Sequence, residues 1–170
     1  MVHVHLINPD SNSRALLIKL RTNLRRVRLV TSEETLKRYL DDVSTTTYFA
    51  CARLLRLSQM LTHYRRPLMV NDIDAVFVGS PDRLRRAIGE TDKVYLRISR
   101  DIPTLWDGCS AGTIYVGPGQ ESVDAGVALR AFLLHHYQRG TMPWFLDQIA
   151  LSGLALAHST GRALSLRSAG

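Results

Sequence analysis

Asp72 and Asp74 stand two residues apart in the stretch Pro-Leu-Met-Val-Asn-Asp-Ile-Asp-Ala-Val-Phe-Val-Gly-Ser, Pro67 to Ser80. Residues at that spacing in a strand project from one face. Two carboxylates sharing a face repel each other unless positive charge sits between them. Hard divalent cations such as Mg or Mn prefer carboxylate oxygens and supply that charge. Asp is also common in exposed loops at strand ends, and Asp-x-Asp by itself is a short motif. What raises the pair above that background is its flanks. Leu68-Met69-Val70 precedes it and Ala75-Val76-Phe77-Val78 follows, which sets the pair at the end of a core strand.

The rest of the chain must build the frame for that strand. Val2 to Ile7 alternates apolar residues with His3 and His5 and reads as a strand. Asn8 to Asn12 is a turn, and Ser13 is placed to cap a helix ending near Asn23. Val27 to Val30 reads as a short strand, and Thr31-Ser32-Glu33-Glu34 as a helix start. Leu36, Tyr39 and Leu40 form a small apolar face behind it. From Thr45 to His63 the spacing predicts one helix, with Ala50, Leu54, Leu57 and Leu61 facing a core and Arg53 and Arg56 off that stripe.

After the Asp72 strand, Pro81-Asp82-Arg83-Leu84 opens a short helix. Val94 to Ile98 is a strand, Asp107 to Gly112 a small-residue turn, and Thr113 to Val116 another strand. Ser122 to Gln138 is helical, with Val123, Val127, Ala131 and Leu134 on one side. A further helix starts within Met142 to Gln148 and runs to about Ala157. Residues 159–170 turn to Ser, Gly, Arg and Ala and read as a flexible tail. Alternating strands and helices predict an α/β fold, a three-layer α/β/α sandwich with a mainly parallel, mixed sheet, in one domain over residues 1–170. Ligands in such folds collect beyond the C-terminal strand ends, where Asp72 and Asp74 fall.

Composition narrows the partners. At 170 residues, 45% hydrophobic and 22% charged, the chain suits an ordinary globular domain. No apolar run reaches the ~20 residues that span a bilayer, and the start, Met-Val-His-Val-His-Leu, has no signal-peptide pattern. Cys51 and Cys109 read as reduced thiols, which points to the cytoplasm. The net charge of +7 favours anionic partners such as phosphates and nucleotides. Aromatic residues, at 7%, do not interleave with the basic clusters, so no specific nucleic-acid partner is expected.

Three pieces in order carry a resemblance. Tyr48-Phe49-Ala50-Cys51-Ala52-Arg53-Leu54-Leu55 precedes the Asp72-Ile73-Asp74 strand, Ser110-Ala111-Gly112 precedes a strand, and Trp144-Phe145-Leu146-Asp147-Gln148 opens a late helix. The set resembles nucleotide-sugar-dependent glycosyltransferases of the GT-A fold, especially the retaining galactosyl/glucosyltransferase group, across about Thr46 to Leu151. The resemblance implies that Asp72 and Asp74 hold Mn or Mg against the donor's diphosphate. It implies that Arg53 lies near the diphosphate or sugar. Ser110, Ala111 and Gly112 would line the sugar pocket, and Asp147 and Gln148 would sit under the transferred sugar as the catalytic pair. Each has a plainer reading: an Asp-pairing or solvent-facing arginine, a tight turn, and a favourable residue at a helix start. The family's usual first strand–helix unit has no counterpart, since Met1 begins on what reads as its second strand. The family's third metal ligand, a distant histidine, has no close match; only His158 follows Gln148.

Three functions therefore compete. The first is a hexosyltransferase that moves a sugar from a nucleotide-sugar donor to an acceptor the residues do not name. The second is a non-catalytic relative that acts as an interaction or assembly module, with a homo-oligomer or partner protein covering an exposed sheet edge. The third, on charge alone, is a basic nucleic-acid-binding protein.

Overall fold

A computed structural model describes residues 1–36, 41–72, 82, 94–98 and 109–159. Asp74, the Pro81 helix start apart from Asp82, and the tail from 160 onward lie outside the described residues, as do Tyr39 and Leu40. Where one domain is expected, the chain divides into two compact units, Met1–Asp41 and Asp42–Gly170. The fold is mixed α/β, with small sheets of both parallel and antiparallel strands. Among the described residues no helix is long and apolar enough to cross a membrane.

The first unit is a β-α-β segment. Strand β1 (Val2–Ile7) and strand β2 (Leu29–Glu34) pair in parallel, with helix α1 (Ser11–Asn23) between them in sequence. Thr31 to Glu34 is therefore strand, not a helix start. Its side chains are engaged as a strand's are, alternately on two faces. Thr31 and Glu33 meet Arg21 and Arg14 of α1, and Ser32 and Glu34 meet histidines of β1. The cap of α1 is Asp10, not Ser13. The Asp10 carboxylate accepts both the Ser13 N–H at 2.7 Å and the Ser13 hydroxyl, which holds it below its ordinary range.

In the second unit the single helix expected from Thr45 to His63 is two. Helix α2 (Asp42–Leu55) breaks at Arg56, and helix α3 (Leu57–Tyr64) follows. The apolar stripe survives the break, since Leu54, Leu57 and Leu61 are all buried. Strand β3 (Leu68–Asn71), strand β4 (Val94–Ile98) and strand β5 (Cys109–Val116) form a sheet in the order β3-β5-β4, both pairs antiparallel. The expected turn at Cys109 to Gly112 is thus the first half of β5. Parallel pairing, expected to dominate, occurs among the described residues only in the first unit.

Helix α4 (Gln120–Arg139) buries Ser122, Ala125, Gly126, Leu129 and Leu133. The expected face of Val123, Val127, Ala131 and Leu134 is rotated away, with Val127 46% exposed. Closeness explains the difference. A Cβ on Gly126 would stand 2.9 Å from the Ser58 backbone nitrogen, so α3 and α4 approach most closely where a glycine meets a serine. The ring of Tyr48 on α2 packs at a tilt against Tyr137 of α4, with centroids 5.0 Å apart. Helix α5 (Leu146–Ser159) packs on β5, α2 and α4. Its N-terminal approach is fixed by the buried side chains of Met142 and Leu146.

Candidate functional site

Asp72 follows directly on β3. Its N–H donates to the Gly112 carbonyl at 3.0 Å, which extends the β3–β5 ladder by one step and places the two residues side by side. The carboxylate then lies against the open side of the glycine. A Cβ built on Gly112 would stand 3.4 Å from Asp72 Oδ2 and 3.7 Å from Ser110 Oγ. Gly112 here supplies room beside a carboxylate rather than backbone freedom.

The pairing of β5 with β4 is irregular at this point. Leu96 pairs with Ile114, but Arg97 pairs with Ser110, so Ala111, Gly112 and Thr113 are extra on β5. The bulge shifts the alternation: Cys109 and Ala111 are buried up to and into it, Ile114 and Val116 after it. Bulges of this kind re-aim side chains at sites and sheet rims. Ser110 and Gly112 are consequently together beside Asp72, while Ala111 is buried, out of phase with them, on the core side.

Arg53 joins the parts. It projects from α2, off the apolar stripe, and its side chain is 17% exposed. Nη1 is ion-paired with Asp72 Oδ1, and Nη2 donates to Asp147 Oδ2 at 3.0 Å. Arg53 is thus paired with two aspartates. Its buried Nε has no acceptor among the described residues. The Asp147 side chain is 8% exposed, against 40% for Asp72. Asp147 Oδ1 accepts the backbone N–H of Gln148 at 2.9 Å, so Gln148 enters the cluster through its backbone. Residues 53, 72, 110, 112, 147 and 148 are thereby gathered in the second unit.

The backbone before Asp147 is strained. Phe145 holds φ at 66°, in the left-handed region that bulky side chains avoid. Its carbonyl accepts the Ile149 N–H at 2.9 Å, which starts α5. Such outliers cost about 1–3 kcal/mol and persist where surrounding structure over-determines them.

Two buried thiols flank Asp147, a juxtaposition the sequence does not signal because the cysteines are 58 positions apart. Burial pushes the Cys51 thiol up to about 12, with the Asp147 carboxylate adding to the rise and Arg53 opposing it. Burial also raises Cys109, while a hydrogen bond from Ser152 works the other way. Both stay protonated and inert at neutral pH.

Among the described residues no group of three or more His, Cys, Asp or Glu side chains is gathered as a metal site. Asp147 has both oxygens engaged, whereas Asp72 offers a half-exposed carboxylate of the hard-oxygen type that Mg and Mn take. Comparison of the chain with protein-family models, curated proteins and solved structures finds no match.

Proposed function

We propose that the second unit carries a nucleotide-sugar site and that the protein is a metal-dependent glycosyltransferase with a GT-A-like, three-layer α/β/α architecture. One observation supports this above the others: Arg53 ties Asp72 to Asp147, with Gly112 and Ser110 close beside Asp72. These five residues come from the motif stretches that carry the resemblance, and their proximity supports the reading.

Asp72 and Asp74 would hold the divalent cation, Mn or Mg, whose chemistry is to neutralise charge on a departing nucleoside diphosphate. Arg53 is fixed by its two carboxylates and presents a guanidinium of set orientation to the same anion. Ser110 would offer a hydroxyl beside Asp72 to orient a sugar ring, with Gly112 adding no side chain of its own. Asp147, hydrogen-bonded by Arg53 and the Gln148 N–H, would stabilise positive charge developing at the sugar carbon. The acceptor is a nucleophile of a class this site does not specify.

Calorimetric titration with UDP tests the reading. Binding is expected with Mn and not without it, and Asp72→Ala is expected to abolish the Mn-dependent part. UDP that fails to bind in Mn, or binds Asp72→Ala equally well, ends the proposal. A second reading, a non-catalytic interaction or assembly module, draws on the saturation of Arg53: both terminal nitrogens already have carboxylate partners. Under that reading the titration is flat, and a homo-oligomer or a partner on a sheet edge appears by sedimentation.

A further inference from the structure

His3 and His5 lie two apart on β1 and share a face. In the parallel register His5 stands opposite Ser32, and Ser32 and Glu34 share the matching face of β2. Helix α1 engages the other face, through Arg14 on Glu33 at 3.0 Å and Arg21 on Thr31 at 3.1 Å. The Ser32 oxygen is 2.7 Å from His3 Nε2 and 2.7 Å from His5 Nδ1. His5 Nε2 is 3.1 Å from Glu34 Oε2.

With an ionised Glu34 and a neutral His5 imidazole, the donor inventory gives this relay one set of directions. An ionised carboxylate only accepts, so His5 Nε2 carries a proton and donates to Glu34. In neutral His5 the Nδ1 is then the lone-pair nitrogen, and the Ser32 hydroxyl donates to it. Ser32 has spent its single proton, so its oxygen accepts from Nε2–H of His3. A hydroxyl donating to an imidazole, itself oriented by a carboxylate, is the constellation of an activated serine, recognised by roles rather than by sequence position. The side chains of His5 and Glu34 are 14% and 17% exposed, so the relay is neither sealed nor washed by solvent.

We propose that Ser32 is a nucleophile, with His5 its general base, Glu34 and His3 its positioning residues, and a carboxylic ester its substrate class. Ser32 Oγ attacks the carbonyl carbon as its proton passes to His5 Nδ1. The ester C–O bond breaks, and the leaving alcohol takes that proton. Water then adds to the acyl-serine, gives its proton to His5, and the proton returns to Ser32 Oγ as the acid departs. No oxidant, reductant or metal is needed. The inference draws on residues 3–34 alone and does not depend on the glycosyltransferase reading.

The test is covalent labelling of the full chain with a fluorophosphonate, which forms a Ser32 O–P bond and expels fluoride, read by peptide mass spectrometry. One adduct is expected, on Ser32, and none on Ser32→Ala. His5→Ala is expected to slow labelling by about 100-fold. Where His5→Ala loses its circular dichroism, His5→Gln is read in its place. Glu34→Gln is expected to slow labelling with an unchanged melting temperature, and p-nitrophenyl acetate to release nitrophenol at a rate that follows the same variants. A folded chain that gains no adduct on Ser32 overturns the proposal, as does Ser32 labelling at an equal rate in the folded His5 variant.

Discussion

Arg53 is the residue on which the candidate site is balanced. Its guanidinium is largely enclosed, and one of its carboxylate partners, Asp147, is almost fully so. Removing one member of such a pair leaves the other buried and uncompensated, a loss of about 3–5 kcal/mol. Arg53→Ala is therefore expected to lower stability by about that much in a denaturant titration. Asp72→Asn, at the more exposed end of the same arginine, is expected to cost under about 1 kcal/mol. Equal losses from the two would show that Asp147 is not the buried partner. Arg53 was legible as a residue off the core stripe of its helix. Its two partners were not, because they lie 19 and 94 positions further along the chain and meet it only through the fold.

Among the elements, the contact of α3 with α4 depends on Gly126. Alanine would favour the isolated helix by about 1 kcal/mol. Its Cβ would nevertheless meet backbone atoms of Ser58 at 2.9 Å, and backbone cannot rotate aside. Gly126→Ala is expected to destabilise by about 1–3 kcal/mol net, seen as a lower melting temperature. The opposite sign is expected at Arg65, which ends α3 with φ of 49° and an exposed side chain. Glycine takes that conformation without the side-chain penalty, so Arg65→Gly is expected to raise stability by up to about 1 kcal/mol. Periodicity found α4 but chose the wrong face of it. The pattern passes over Ser122, Ala125 and Gly126, small residues that share the buried face with Leu129 and Leu133.

For the molecule as a whole, the buried thiols set an alkaline limit. The Cys51 thiol titrates near 8.5 in an unfolded chain and at about 12 in the folded one. Above the lower value the unfolded state sheds a proton that the folded state keeps, which favours unfolding. The stability tied to this proton is complete below pH about 8.5 and is lost progressively toward pH about 12. Cys109 acts in the same direction. Melting temperatures measured from pH 8 to 10.5 are expected to decline, and less steeply in Cys51→Ala. Equal slopes would mean the thiol is ionised in the folded chain. The division into two units belongs to this scale too, since composition over 170 residues suits one domain equally well.

The sequence alone determined what alternation and apolar runs encode: β1 to the residue, the strand just before Asp72, and the helical character of α2, α4 and α5. Those signals are local, carried by side chains within a few positions of one another. Tertiary structure decided what depends on distant partners. Thr31 to Glu34 became a strand because β1 offered hydrogen bonds that a helix start could not outbid. Cys109 to Gly112 became strand because β4 pairs with Cys109 and Ser110 and the Asp72 N–H reaches the Gly112 carbonyl, with the bulge absorbing three residues. His3 and His5 were visible as an alternating pair. That Ser32 lies between their ring nitrogens follows from parallel register, a relation between strands some 29 positions apart that no local pattern contains.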